Sequence, residues 1–241
     1  MEIVKVDNLT KIYRQDAVQI RALSGINLSF ESGEFAVIAG PSGSGKSTFL
    51  NLIGGLDRPT EGRILLAGED ITSMAKGRLS ELRLKKMGFI FQSYNLIPVL
   101  TAYENAEFIL LLQGMPYEKR RQRVMGLLEE VGLKGLESRR PYEMSGGQQQ
   151  RVTVARALAS NPDLILADEP TANLDSKTGL ALIDMMHHMN RTRGATFLIS
   201  THDPQIMAKA RRVILLRDGQ ITSDAPVGET GVSSKGLCNS P

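Results

Sequence analysis

The sequence predicts an α/β fold: a sheet flanked by helices, with a β-rich start and an inserted helical lobe. Three observations carry this. The apolar strand "FAVIAG" runs directly into "GPSGSGKST" (Gly40 to Thr48) and then into "KSTFLNLIGGL", where Phe49, Leu50, Ile53 and Leu56 have helical spacing. Beyond residue 145, short apolar strands alternate with helices, which implies a parallel sheet covered on its faces. Between Gln92 and about Glu143 the character turns helical.

Taken in order, the first forty residues read as strands: alternation in "EIVKVDNL", then "IRALSGINLSF", a turn at Glu31 to Gly33, and "FAVIAG". A β-rich stretch, "GRILLAGEDI", is followed by a basic helix around Arg78 to Lys86 and a strand "MGFIF" ending at Gln92. Thr101 and Glu104 form a T-x-x-E capping box before "FILLL". Val124, Leu127, Leu128 and Val131 sit at i, i+3, i+4 and i+7 of a second lobe helix, and Gly114-Met115-Pro116 separates the two. After a helix opened by "SGGQQQR" come "DLILAD", a helix from Asp175 to Arg193 closed by Gly194, "ATFLIS", a short helix and "RVILLRDGQI". From Ser223 onward Gly, Ser and Pro dominate, the composition of a disordered tail.

The chain has 241 residues, 41% hydrophobic and 23% charged, enough to bury a core without disulfides or metals. Its formal net charge is +3, too small an excess to argue for nucleic acid as a partner. The single cysteine, Cys238, lies in the Gly/Ser-rich end, so no disulfide framework and no Cys-based metal site is expected, in keeping with a reducing, cytoplasmic setting. The longest apolar run, Phe108 to Leu112, is far too short to cross a bilayer, so any membrane spans are expected from another chain.

"GPSGSGKST" is a G-x-x-x-x-G-K-[ST] phosphate loop in the expected context of a strand before and a helix after. Gly40, Gly43 and Gly45 let backbone N–H groups close on a phosphate, with Pro41, Ser42, Ser44 and Thr48 completing the loop. Lys46 reaches the β/γ oxygens and the Ser47 hydroxyl can ligate Mg²⁺. "LILADEP" is an apolar strand ending in two carboxylates, where a doubly wound sheet places its ligands. Asp168 would hold Mg²⁺ through its water shell, and Glu169 is the base or orienter of an attacking water. Gln92 and His202 each end an apolar strand; Gln92 could reach Mg²⁺ or the water, His202 the γ-phosphate.

A second glycine stretch, Ser145, Gly146 and Gly147, opens a helix whose Val152, Ala155, Leu158 and Ala159 form a buried stripe. By spacing alone it is either an ordinary Ser N-cap with flexible glycines or a second anion cradle, with three glutamines at 148 to 150 beside it.

"GPSGSGKST", Gln92, "MSGGQQQRVTVARAL", "LILADEPTANLDS" and "STHD", in this order, resemble the nucleotide-binding subunit of ABC transporters over about residues 1 to 222. The resemblance implies a P-loop NTPase of ABC ATPase type. Its RecA-like mixed sheet core, together with an N-terminal antiparallel β subdomain, takes up about 1–92 and 145–222, with an α-helical lobe of about 93–144 inserted and 223–241 left as tail. It also implies that Ser145, Gly146, Gly147 and Gln148 are a signature motif acting in trans. Two copies would pair head to tail, each ATP lying between one chain's phosphate loop and the other's Ser145–Gly147 turn. By the same resemblance Tyr13 would stack on adenine, Glu169 would be the general base, His202 the γ-phosphate contact, and Asp175 an interface residue; from the residues alone, Asp175 or Ser176 also suits the N-cap of the helix that ends at Gly194. Met144 stands where Leu is commoner and Ala172 where Gly is frequent, small changes of bulk beside the site.

Within the family, "FIFQSYNLIPVLTAYENAEFILLLQG" and "ILADEPTANLDSKTG" are most similar to the lipoprotein-releasing, macrolide-exporter and cell-division group, which implies a separate integral membrane permease and a place on the inner face of the membrane. The apolar loop Leu96 to Leu100 is then either a hydrophobic staple for the Thr101 helix or the lining of a groove for a permease helix. A non-transport ATP-driven clamp would carry long heptad coiled coils between phosphate loop and signature, and only short elements occur there. A P-loop kinase or GTPase leaves the Ser-Gly-Gly-Gln stretch unexplained.

Overall fold

The computed structural model describes residues 1–15 and 18–227. Two sheets and seven α-helices make up the molecule over that span. The first sheet is antiparallel, in the order β2 (Val18–Glu31), β1 (Glu2–Gln15), β4 (Glu61–Leu66), β5 (Glu69–Asp70). The second has the order β10 (Gln220–Pro226), β9 (Arg212–Arg217), β3 (Phe35–Ala39), β8 (Thr196–Thr201), β7 (Leu164–Asp168), β6 (Met87–Ile90). Its five inner and far-edge strands run parallel, and only β10 is antiparallel. This is the α/β fold that the sequence predicts, with the mixed sheet and antiparallel N-terminal β subdomain that the family resemblance implies.

The strands of the second sheet read as unbroken apolar runs because both faces are covered. On β3, Phe35, Val37 and Ala39 pack into one core with the helices of the lobe, while Ala36 and Ile38 pack into the other with the first sheet. β7 and β8 split the same way: Ile165, Ala167, Phe197 and Ile199 face the lobe side, and Leu164, Leu166 and Leu198 the opposite side. The period-2 alternation is thus hidden in sequence and visible only in which core each residue joins.

Helix α1 (Lys46–Ile53) follows the glycine loop and stops one turn earlier than its apolar spacing suggests; Gly54 caps it, and Leu56 is left 47% exposed. Helix α2 (Lys76–Lys86) starts two residues ahead of the expected Arg78. The lobe consists of α3 (Ala102–Leu112), opened by the expected Thr101–Glu104 capping box, α4 (Tyr117–Glu130) and a single 3-10 turn at Pro141–Glu143. The stripe Val124, Leu127, Leu128 and Val131 is fully buried. Helix α5 (Gly146–Ala159) is buried on almost all sides, because α3 covers the face it turns away from the sheet. Helix α6 (Ser176–Arg193) is closed by Gly194 in the left-handed conformation, φ 69°, where glycine carries no Cβ penalty. A short α7 (Pro204–Met207) precedes β9.

One boundary is corrected. The Gly/Ser/Pro composition from Ser223 suggests a tail, yet Ser223, Asp224, Ala225 and Pro226 pair with β9 down to Arg212. The cause is a charge clamp that composition does not reveal: Arg212 donates through Nε and Nη2 to both carboxylate oxygens of Asp224, each at 2.7 Å, and through Nη1 to Glu34 at 3.0 Å. Pro226 is tolerated because β10 is an edge strand and needs no donor there. Residues 228–241, including Cys238, lie outside the described residues.

Candidate functional site

The site is built where β3, β7 and β8 end side by side. β3 passes into the Gly40–Thr48 loop, and α1 starts from Gly45, whose φ of 105° and close approach to Ala22 (a Cβ would lie 2.5 Å from its carbonyl oxygen) admit only glycine. The loop forms one wall of a cleft of about 560 Å³ lined by Ser42, Gly43, Gly45, Lys46, Ser47 and Thr48. Gln92, Glu169, Ala172 and His202 supply the opposite wall, and Ile20 to Ala22 of β2 the rim.

Lys46 is buried, and its ammonium donates to the carbonyls of Gly40 (2.9 Å) and Pro41 (3.1 Å). It also lies 3.4 Å from Glu169 Oε1. A buried cation held by carbonyls at the mouth of a glycine loop is a seat for an anion. Ser47 Oγ donates to Asp168 Oδ1 at 2.9 Å, and Ser200 Oγ donates to the same oxygen at 2.5 Å. Ser47 and Asp168 therefore present a hydroxyl and a carboxylate together, oxygen donors of the kind a hard cation takes. Among the described residues no cluster of three His, Cys, Asp or Glu side chains is placed to hold a metal, so a cation here would take its remaining oxygens from phosphate and water.

Glu169 sits at φ 45°, a left-handed conformation uncommon outside glycine. Ser200 holds it there: its carbonyl and hydroxyl both accept from the Glu169 N–H, at 3.2 and 2.9 Å. The strain aims the carboxylate into the cleft, where His202 Nδ1 lies 3.0 and 3.1 Å from its two oxygens. An ionised carboxylate only accepts, so Nδ1 carries the proton and the opposite ring nitrogen is left for a ligand. The His202 side chain is 64% exposed.

Other predicted residues lie elsewhere. Gly40, Pro41 and Asp168 stand behind the lining, and Ser44 is buried with its hydroxyl unpartnered. Tyr13 does not line the cleft: it pairs across the hairpin with Ile20, which does, and its hydroxyl donates to Asp57 at 2.9 Å. Partial burial pushes that phenol up, with Thr48 opposing and Asp57 adding to the rise. Asp175 caps α6, accepting from the Thr178 N–H at 3.0 Å, and these Thr178 hydrogen bonds hold its carboxyl below the usual range. Ser145 caps α5 through a full capping box with Gln148. Gly146 and Gly147 are also needed for packing, since a Cβ would lie 2.8 Å from the Tyr94 hydroxyl and 2.6 Å from Thr178 Cγ2, respectively. None of Ser145 to Gln148 lines the cleft.

Sequence reading missed Ser200, Gln150 and Asn173. Ser200 is the register partner of Asp168, a pairing that needs the sheet order. Gln150 is fully buried and Asn173 Nδ2 donates to the Gln92 carbonyl at 2.9 Å. Of the Leu96–Leu100 loop, Ile97 lines a separate, mainly apolar groove of about 390 Å³ with Phe89, Phe91, Phe108 and Ile109; Leu96 packs on the lobe core, and Val99 is 72% exposed.

The sequence profile of the ABC transporter family matches residues 23–172. The chain belongs to this family. It is 44% identical to the ABC transporter ATP-binding protein MJ0796 of Methanocaldococcus jannaschii, with 91% of this chain and 95% of that protein covered. It is 43% identical to the macrolide export ATP-binding/permease protein MacB of Hyphomonas neptunium over 92% of this chain, which spans only 34% of that longer protein. The dimeric structure of MJ0796 in a post-hydrolysis state, bound to ADP and Pi, superposes with a TM-score of 0.88 at 42% identity, covering 95% of this chain and 100% of the other. This ABC protein is thus an ATP-binding, ATP-hydrolysing subunit of the exporter-like group, with the P-loop NTPase fold of that family.

Proposed function

We propose that this ABC ATPase drives a separate integral membrane permease, in export, lipoprotein release or mechanotransmission, by closing and reopening a head-to-tail pair of its own copies. The observation that carries the reading is a division of labour: Lys46, Ser47, Glu169 and His202 meet in one cleft, whereas the Ser145–Gln148 turn opens α5 outside it. A helix start with free N–H groups and two glycines is an anion seat in search of a ligand, and a second copy's nucleotide provides one. The dimers reported for MJ0796 support pairing of this kind.

In the proposed reaction, Lys46 exchanges its carbonyl partners for the β/γ-phosphate oxygens of ATP. Glu169 takes a proton from a water whose oxygen bonds to the γ-phosphorus while the bond to ADP breaks, and His202 turns its other ring nitrogen to a γ-phosphate oxygen, to which it donates only when both ring nitrogens are protonated. Gln92 orients that water from the opposite wall. Ser47 and Asp168, with Gln92, would hold Mg²⁺, which when bound neutralises phosphate charge. Tyr13 would meet the adenine at the rim beside Ile20, and Asp175 would lie at the dimer interface while capping α6.

The permease contact is proposed at the apolar groove between α2, β6 and α3, where Ile97 of the Leu96–Leu100 loop meets Phe89, Phe91 and Phe108. Among the described residues no helix is long and apolar enough to cross a membrane. Spans would come from the partner, and the chain would work on the inner face of the membrane.

Size-exclusion chromatography with light scattering on Glu169→Gln, with and without ATP, tests the reading. A monomer that becomes a dimer only with ATP supports it. A protein that binds ATP and stays monomeric in both conditions would remove the head-to-tail mechanism.

A further inference from the structure

Gln150 is a polar side chain with no exposure at all, one turn into α5 and outside every nucleotide-contact set described above. A buried carboxamide is costly unless its donors and acceptor are met. Its Nε2 donates to the carbonyl of Pro170 at 2.7 Å and, more weakly, to that of Phe91 at 3.4 Å. Thr153 Oγ1, with a single proton, lies 2.8 Å from the Gln150 backbone carbonyl and 3.1 Å from Gln150 Oε1, so the amide oxygen has a shared acceptor contact, while the two carbonyls on Nε2 set its orientation. Phe91 immediately precedes Gln92, and Pro170 immediately follows Glu169. One side chain of α5 therefore grips both segments that bring Gln92 and Glu169 to the cleft.

Two further contacts bear on the same joint. The Tyr94 hydroxyl rests where a Cβ of Gly146 would stand, 2.8 Å from that position, so the loop after Gln92 lies on the first turn of α5. Asn173 Nδ2 donates to the Gln92 carbonyl at 2.9 Å, tying the segment after Glu169 to Gln92 a second time. A helix is stiff over one turn, so a shift of the Ser145–Gly147 turn is felt at Gln150.

We propose that Gln150 is a positioning residue: its carboxamide sets Gln92 and Glu169 relative to α5, so that their alignment for hydrolysis follows the position of the Ser145–Gly147 turn. That a partner's nucleotide is what moves this turn rests on the head-to-tail reading above. Gln150 itself touches no substrate.

The test uses the full chain in three forms: wild type, Gln150→Leu, which removes the donors at similar bulk, and Thr153→Val, which removes the hydroxyl shared between the Gln150 carbonyl and its Oε1 and leaves both Nε2 bonds in place. Turnover, affinity for a fluorescent ATP analogue and melting temperature are measured on each, and ATP-dependent dimerisation on each variant combined with Glu169→Gln. In Gln150→Leu, kcat should fall on the order of 10- to 100-fold, the cost of a sub-ångström to ångström misplacement, while KM and nucleotide affinity stay within about two-fold. Thr153→Val should fall in the same direction by less, and both should still dimerise with ATP. Unchanged kcat in Gln150→Leu overturns the positioning role and leaves the head-to-tail reading intact. Parallel loss of kcat, affinity and melting temperature in both variants overturns it too, as that is what a purely structural residue would do. If Glu169→Gln binds ATP but never dimerises, the head-to-tail reading falls, and with it the link to a partner's nucleotide.

Discussion

Lys46 Nζ lies 3.4 Å from Glu169 Oε1, both side chains largely buried, so the cation of the phosphate loop and the carboxylate of the β7 turn form an ion pair in the cleft. On the proposed reading an incoming triphosphate would compete for that cation and free the carboxylate toward water, coupling binding to activation of the proposed base.

Lys46→Ala should weaken ATP affinity by at least about ten-fold, because charge-assisted hydrogen bonds are worth roughly 1.5–3 kcal/mol each. Titration with a fluorescent ATP analogue reads this directly. Affinity within about two-fold of wild type would mean that the glycine loop alone holds the phosphates.

Glu169→Gln should lose turnover by roughly 10²- to 10⁴-fold, the range for a general base, with nucleotide binding retained. Phosphate release in a coupled assay is the measurement. Turnover near the wild-type rate would remove Glu169 from the role of base.

Arg212→Ala should destabilise the fold by roughly 1–3 kcal/mol, between the ranges for exposed and buried ion pairs, since Asp224 and Glu34 lose their shared partner. Urea unfolding gives the number. Faster proteolysis at β10 than elsewhere would locate the loss, and an unchanged midpoint would show that the clamp does not hold this edge.

Stability should fall on acidification through His187. Burial pushes this imidazole below its ordinary range, with Arg211 and Arg191 adding to the fall and its hydrogen bond to the Lys209 carbonyl and the nearby Asp184 opposing it. The ring stacks on Phe35 at 3.6 Å between centroids. A depressed folded pKa means that the unfolded chain binds the proton first. The stabilisation is therefore complete above about pH 6.5, the unperturbed histidine value, and is lost as the pH falls toward the folded value. His187→Gln should flatten the dependence of the urea midpoint between about pH 7 and pH 5.5. Equal slopes in the two proteins would assign it to other groups.

Much of the site was legible in the chain itself. Glycines at positions of positive φ, a lysine after them and two carboxylates after an apolar strand are local chemistry, and Gly43, Gly45, Lys46, Ser47 and Glu169 fall where that chemistry puts them. Helix caps were legible for the same reason: Thr101, Ser145 and Asp175 each act on an N–H three residues away. The pairing of Ser223 to Pro226 as strand β10 was not, because Arg212 reaches its partners across strands rather than along one.

By itself the sequence determined the α/β pattern, the phosphate loop and the family, all of which rest on residues close together in the chain. Only the tertiary structure decided which residues neutralise one another. Ser200 beside Asp168, Gln150 between Phe91 and Pro170, and Asn173 on Gln92 are separated by 20 to 81 positions and meet through sheet order and helix packing. A buried polar group must find its partner wherever the fold brings one, and no periodicity in the chain records that choice.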